Sequence, residues 1–442
     1  MDTLREKIFA FIGGAEALAV ELETELCKRP AISPDSGGEG ELDKALWLEG
    51  WLDGRGFSRR RIDIPDSRAR GGVRPNIIVT VREGGGGSGG GAPGSQGTPG
   101  SQGTLWIMSH LDVVPPGERS LWESDPWTAV RRDDGPLGPR LVGRGVEDNQ
   151  QGLTASLLAA LAYREAAGSG RGAPEAPGPE APGRPVKLLF CADEECGSAY
   201  GVEALVKKEP GLFGKNDLVL IPDGGDPKGE TIEIAEQNLL WIEVTVRGTQ
   251  AHGSRPDLGA NAHLAGAELA LRLHDELAGI FSGRDSLFEP DYSTFEPTKT
   301  AANVPNINTI PGEDVFCMDM RVLPRYPLAS VLAEIDRIKA QVETKRGVSI
   351  TYAAPQRVES RATPADSPLT AMLSGAVEEV YGVKTRPIGI GGGTVGAILR
   401  NEGIHCAVWG RLDDTAHQPN EYALIANILG DARVMALLMI AP

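Results

Sequence analysis

Three apolar runs, each ending in acidic or histidine residues, constrain this chain more than any other feature. TLWIMS (104–109) runs into His110-Leu111-Asp112, VKLLFCA (186–192) into Asp193-Glu194-Glu195, and DLVLIP (217–222) into Asp223-Gly224-Gly225. Short continuous apolar runs bounded by polar residues and glycine read as buried strands. In open α/β sheets, ligands bind outside the carboxyl ends of the strands. Three polar clusters placed there by one pattern predict a single assembled site. His, Asp and Glu are the ligands that zinc and similar ions take, so the site reads as one for metal.

With 442 residues the chain exceeds one ordinary domain. Residues 84–103 and 167–185 are so rich in Gly, Ser and Pro that they cannot bury enough to order themselves, and they read as surface insertions. Without them the N-terminal region alternates strand and helix, which implies a mostly parallel sheet covered by helices. Asp148 or Asn149 is placed to cap the helix GLTASLLAALAYREA that follows. After Asp223 the pattern changes. A strand (239–248), a helix (260–277), a hairpin turning at Pro-Gly within 306–323, a helix (329–344) and a strand (348–354) give a β-α-β-β-α-β order. That order resembles a ferredoxin-like unit. The expected fold is therefore α/β: a discontinuous main domain, 1–236 and 359–442, interrupted by an inserted α+β domain, 237–358.

The net charge of −17 argues against a nucleic-acid partner, whose phosphates need a basic face. No apolar stretch approaches the roughly 20 residues that span a membrane. The N-terminus, MDTLREKIFAFIGGAEALAV, reads as an amphipathic helix and not as a signal peptide. Five scattered cysteines (27, 191, 196, 317 and 406) without a CxxC pair fit thiols of a reducing cytoplasm, with Cys191 and Cys196 in buried apolar roles.

Each candidate ligand has a plain alternative. His110 and Asp112, two apart in an extended segment, share a face, so the carboxylate can orient the imidazole; a simple turn at a strand end has the same sequence. Asp148 in GRGVEDNQQG serves equally as a helix cap or as a carboxylate bridging two ions. Glu194 and Glu195 point opposite ways after a strand, so one can bind metal while the other takes a proton; side by side in a buried place they need cations. Asp223 before Gly-Gly is also a turn aspartate, and His417 in DDTAHQPNEY is also a loop histidine. His252, in GTQAHGSRP, falls in the inserted domain, and His263, His274 and His405 read as surface or structural residues. Singly these signals are weak. Together they fall at the ends of predicted strands in one arrangement.

The ordered segments SHLDVVPPGERSLWESDPW, GRGVEDNQQG, ADEECG, PDGG, GTQAHGSRP, NTIPGEDVFCMDMR, GGGT and DTAHQPNE resemble the motifs of the zinc aminoacylase and carboxypeptidase family. That family includes succinyl-diaminopimelate desuccinylase, acetylornithine deacetylase, aminoacylase and carnosinase-like dipeptidases. The resemblance spans nearly the whole chain apart from the two insertions. It implies two zinc ions per subunit, with Co²⁺ or Mn²⁺ as substitutes. His110 and Asp223 would hold one, Glu195 and His417 the other, and Asp148 would bridge them, with a cis peptide after it. Glu194 would be the general base and then acid, and Asp112 would orient His110. The inserted domain would be a lid and dimerisation domain in a homodimer. His252 would stabilise the oxyanion, while Arg321, Asn308 and the loop Gly391-Gly392-Gly393-Thr394 would hold a substrate carboxylate.

The implied partner is a small molecule with an amide bond. Two features point to a dipeptide or N-acyl amino acid in place of N-succinyl-diaminopimelate. The late acidic ligand is Asp223 where desuccinylases have Glu, and Gln237-Asn238 stands where several relatives carry a basic residue and glycine. Desuccinylase or deacetylase activity, and a non-catalytic peptide-binding role, are the alternatives.

Overall fold

The computed structural model describes residues 2–84, 102–168 and 183–441, so the two low-complexity segments lie largely outside the described residues. The chain folds as two compact units. The first comprises Met1–Ile234, Thr363–Pro387 and Ile398–Pro442; the second comprises Ala235–Ala362 and Ile388–Ala397. The Gly391–Thr394 loop thus groups with the second unit, whereas the sequence reading assigned all of 359–442 to the main domain.

An eight-stranded sheet organises the first unit. In chain order its strands are β1 (Ser58–Pro65), β2 (Val73–Arg82), β3 (Leu105–His110), β4 (Val186–Cys191), β5 (Leu218–Asp226), β6 (Thr231–Glu236), β7 (Arg386–Ile390) and β8 (His405–Arg411). Side by side they run β1-β2-β4-β3-β5-β8-β6-β7. The central strands β4, β3, β5 and β8 are parallel, whereas β1 with β2, β2 with β4, and β6 with β8 are antiparallel. The fold class is α/β as the sequence predicts, with the parallel strands forming the middle of a mixed sheet.

Every residue of β3 is buried, as a strand covered on both faces requires. Much of the cover comes from the helix Gly152–Ala166, buried along most of its length, and from Ile425–Ile440, which packs against it. The start of the first of these helices lies hard against the end of β5. A Cβ on Gly152 would sit 2.6 Å from Pro222 Cγ and 2.7 Å from its carbonyl oxygen. Only glycine permits that approach, and it brings the segment before the helix next to Asp223.

Two local expectations are corrected. Neither Asp148 nor Asn149 caps the helix: residues Val146–Gln151 form a wide turn with non-helical backbone at Asp148 and Asn149, and the helix begins after Gln151 with no side-chain cap. The N-terminal stretch makes two helices, Asp2–Gly13 and Glu16–Cys27, since the adjacent Gly13 and Gly14 interrupt the pattern.

The second unit carries a four-stranded antiparallel sheet in the order Thr294–Thr300, Glu313–Val322, Asn238–Arg247, Ser349–Val358. Helices Ala262–Ile280 and Leu328–Arg346 complete the β-α-β-β-α-β order. Leu240, Ile242, Val244 and Val246 alternate toward a core shared with Leu269, Leu273, Val331 and Ile335. The hairpin predicted within 306–323 does not form. Thr309–Ile310 pairs with Ala251–His252 instead, and Glu313–Val322 takes Thr294–Thr300 as its partner. That partner strand, TFEPTKT, is an exposed edge with a proline and a bulge, and shows none of the apolar alternation that marks a strand in sequence.

Candidate metal centre

Five chain segments of the first unit deliver the site. His110 ends β3, Glu194 and Glu195 follow β4 in a single short turn, and Asp223 lies in β5 just past its apolar half. Asp148 comes from the wide turn before the helix Gly152–Ala166, and His417 from the loop after β8. His110 Nε2 lies 2.9 Å from Asp148 Oδ1 and 3.4 Å from Asp223 Oδ1. His417 Nε2 lies 3.0 Å from both Asp148 Oδ2 and Glu195 Oε2. Two ligand sets therefore form, His110-Asp148-Asp223 and Asp148-Glu195-His417, and they share Asp148 through its two oxygens. The Asp148–Asn149 peptide is cis.

The donors fit divalent ions. Imidazole nitrogen and carboxylate oxygen are zinc's ordinary non-thiolate ligands, and a carboxylate with one oxygen in each set is placed to bridge. Glu195 Oε1 is buried without a hydrogen-bond partner, a lone acceptor of the kind that an ion satisfies. The electrostatics agree. Hydrogen bonds that His417 donates to Asp148 and then to Glu195 push its pKa up to about 10, so this trio stabilises a positive charge at its centre. Burial pulls the His110 pKa down, but the charge of Asp223 and the hydrogen bond to Asp148 outweigh it and leave it well above the usual range. Glu194 belongs to neither set. Burial first, and then the charge of Asp223, hold its carboxyl well above the ordinary carboxylate range.

Asp112 is buried beside His110, but the contacts are not the ones its spacing suggests. His110 Nδ1 meets the Asp112 main-chain oxygen at 2.9 Å, while the carboxylate oxygen is 3.6 Å away. The carboxylate instead accepts the main-chain N–H groups of Glu194 and Glu195, both at 3.1 Å. It fixes the turn that carries the two glutamates.

Several supporting residues escaped the sequence reading. Asn149 Nδ2 donates to Asp223 Oδ1 and to the Pro222 carbonyl, each at 2.6 Å, and so ties the wide turn to the end of β5. Asp193, with a left-handed backbone (φ 65°), precedes the Glu194-Glu195 turn and pairs with the fully buried Arg74 at 3.1 Å. Arg74 in turn donates through Nε to Glu41 at 2.7 Å. Of the five cysteines, all unbridged, Cys27, Cys191 and Cys406 are buried; Cys196 and Cys317 are half-buried, so Cys196 departs from its expected place.

The model of peptidase family M20/M25/M40 matches residues 106–441. The chain belongs to this family. An uncharacterised metallohydrolase of Methanococcus maripaludis is 35% identical over 435 residues, covering 94% of this chain and 97% of that protein. A succinyl-diaminopimelate desuccinylase of Cereibacter sphaeroides is 28% identical over 413 residues, covering 92% and 94%. The crystal structure of human carnosine dipeptidase 1 shares the fold, with a TM-score of 0.67 at 19% identity over 99% of this chain and 98% of that one. This M20 protein is thus a metallohydrolase acting on C–N bonds. Among the described residues no helix is long and apolar enough to cross a membrane.

The remaining predicted residues of the M20 chain lie in its second unit. His252 is exposed, with Nδ1 2.9 Å from Ser254 Oγ. Its short strand pairs with Thr309–Ile310, and the next N–H, of Gly253, donates to the Asn308 carbonyl at 2.6 Å, so His252 and Asn308 are neighbours. Arg321 is already engaged: Nε and Nη2 form a fork on Asp319 at 2.7 and 2.9 Å, and Nη1 donates to the Gly391 carbonyl at 2.5 Å. Thr394 Oγ1 donates to the buried Glu236 at 2.6 Å. Gly391 to Thr394, Arg321 and Asp319 are thereby brought into one polar cluster.

Proposed function

We propose that this chain hydrolyses the amide bond of a dipeptide or an N-acyl amino acid. The observation that carries the reading is the pair of ligand sets sharing Asp148, with the buried Glu194 carboxyl beside them. His110 and Asp223 would hold one ion, Glu195 and His417 the other, and Asp148 both. Zinc is the ion proposed, two per subunit, with cobalt or manganese as substitutes. Ions bound there would polarise the amide carbonyl and acidify water.

The chain's own groups then divide the proton work. Glu194, its proton affinity raised by burial, takes the proton of the attacking water and delivers it to the leaving amine. Asp112 holds the Glu194-Glu195 turn in place through two N–H groups. His252, a donor on the second unit, would meet the oxyanion, a contribution that typically supplies about 3–4 kcal/mol. Asn308, Arg321 and the Gly391-Gly392-Gly393-Thr394 loop would hold the substrate's carboxylate end. The second unit would serve as lid and as the contact of a homodimer, and the setting would be cytoplasmic.

The desuccinylase relatives favour a second reading, hydrolysis of N-succinyl-diaminopimelate. Against it stands Gln237, where several relatives carry a base. A second substrate carboxylate would find less positive charge here than the succinyl group calls for. Amine release should be measured with zinc- or cobalt-loaded protein on dipeptides, N-acetyl amino acids and N-succinyl-diaminopimelate, alongside Glu194→Ala. Turnover of the first two classes, abolished in the variant with metal still bound, is the expected result. Preference for the succinyl substrate overturns the substrate assignment, and turnover that survives in the variant overturns the role of Glu194.

A further inference from the structure

Asp148 and His417 sit on loops 269 residues apart, and each loop sends one buried glutamate into the main chain of the other. Glu147 Oε1 accepts the N–H of Asp413 at 2.6 Å, and its Oε2 accepts the N–H of Thr415 at 2.5 Å and the hydroxyl of Thr415 at 2.7 Å. In return, Glu421 Oε1 accepts the N–H groups of Glu147 and Asp148 at 2.9 and 3.1 Å. Its Oε2 accepts the N–H of Gly145 at 2.9 Å and Arg144 Nη1 at 2.6 Å. Beyond these contacts the loops join as strands, with Tyr422, Ala423 and Leu424 paired to Val142, Leu141 and Arg140.

We infer that Glu147 and Glu421 form a reciprocal clasp that sets the separation of Asp148 from His417, and that Glu147 is a positioning residue for the ion held by Asp148, Glu195 and His417. The inference rests on the proposed metal roles of those three residues. The loop of His417 needs such anchoring. Asp414, His417 and Asn420 all adopt left-handed backbone, with φ of 61°, 62° and 59°. Side chains other than glycine occupy that region only where surrounding contacts over-determine it. Glu147 supplies three of those contacts in the segment just before His417. Both glutamates are almost wholly buried, Glu147 at 3% and Glu421 at 0% exposure. Charge-assisted bonds in such surroundings are short and directional, so they transmit position and not merely cohesion. The arrangement is asymmetric in its consequence. His110 and Asp223 stand on β3 and β5, and Asp148 keeps its N–H bond to Glu421 when Glu147 is changed, so the His110-Asp148-Asp223 set should survive loss of the Glu147 half.

The test is zinc titration of metal-free wild type, Glu147→Gln, Glu147→Ala and Thr415→Val, with the thermal midpoint of each metal-free protein as a control. Glu147→Gln turns one acceptor into a donor facing a main-chain N–H or the Thr415 hydroxyl, while Thr415→Val deletes only that hydroxyl. Changes to a residue that holds a metal ligand in place typically weaken metal binding by about 10–100-fold. The expected result is weakening in that range at one ion of two in Glu147→Gln, less in Thr415→Val and more in Glu147→Ala. The first ion and the metal-free midpoint should stay near wild type in the two milder variants, and kcat should fall more than KM rises. Unchanged affinity for both ions in Glu147→Gln and Thr415→Val overturns the clasp, as does equal weakening of both ions. Wild type that binds no zinc overturns the metal reading itself, so the two failures are distinct.

Discussion

Two carboxylate clusters, one buried and one half-buried, lie in the first unit, and they are closed in opposite ways. In one, Glu41, Asp66 and Asp193 surround Arg74, all of them 5% exposed or less. The guanidinium meets Glu41 at 2.7 Å, Asp193 at 3.1 Å and Asp66 at 3.6 Å, so the chain supplies its own cation. In the other, Asp148, Glu194, Glu195 and Asp223 face two imidazoles, and Glu195 Oε1 has no partner. The first cluster is a strut beneath the Glu194-Glu195 turn. The second is arranged around charge that must come from outside. Buried carboxylates with their own arginine read as structure, and clustered half-buried carboxylates without one read as a site.

That contrast can be broken from either side. Arg74→Met should have the largest effect on stability, because it leaves the buried carboxylates of Glu41 and Asp193 without their cation, while Asp66 keeps Arg68 at 3.0 Å. Removing one partner of a buried pair costs about 3–5 kcal/mol, which denaturant unfolding would register directly. Chelation should act the other way, sparing the fold while removing activity. Metal-free protein should keep its secondary structure by circular dichroism and lose amide hydrolysis at least about a thousandfold, with recovery on adding zinc or cobalt. Glu194→Gln should lower kcat by about 10²–10⁴-fold while the zinc content stays at the wild-type value.

The smallest effect sharpens the comparison with a third kind of buried carboxylate. Asp431 is 1% exposed and meets the hydroxyl of Tyr381 at 2.7 Å and the Gln151 amide at 3.0 Å. Burial pushes its pKa up to about 7. The folded state therefore holds the proton more tightly than the unfolded chain does, and the stability gained is present at low pH and lost as pH rises to about 7. The slope from this group is at most about 1.4 kcal/mol per pH unit between roughly pH 4 and 7. Asp431→Asn should flatten the fall in unfolding free energy over that window. An unchanged slope would place the titration elsewhere.

The ligand residues were legible because each stands where an apolar run stops. His110 ends a buried strand, Glu195 follows one and Asp223 stands just past the apolar half of one, and strand ends converge in a parallel sheet. The alternation in 238–247 gave away the second unit in the same manner. Glu147 and Glu421 were not legible, because their partners are main-chain N–H groups hundreds of residues away, and no residue type marks such an acceptor. Asp112 illustrates the same gap: its spacing from His110 suggests a carboxylate that orients the imidazole, but the carboxylate serves the glutamate turn and the main-chain carbonyl meets the imidazole. Arg74 lies before the stretch that the family model matches, so only the folded chain connects it with Asp193. Thr294–Thr300 went unseen since an exposed edge strand carries no apolar period.

Equilibrium dialysis of wild type and Asp148→Ala against zinc, followed by elemental analysis, tests the central claim most directly. Two ions per wild-type chain, with retention falling below one in Asp148→Ala, is the predicted result, since the shared carboxylate serves both ligand sets. Wild type that retains no zinc, or Asp148→Ala that retains two ions as tightly as wild type, would contradict it.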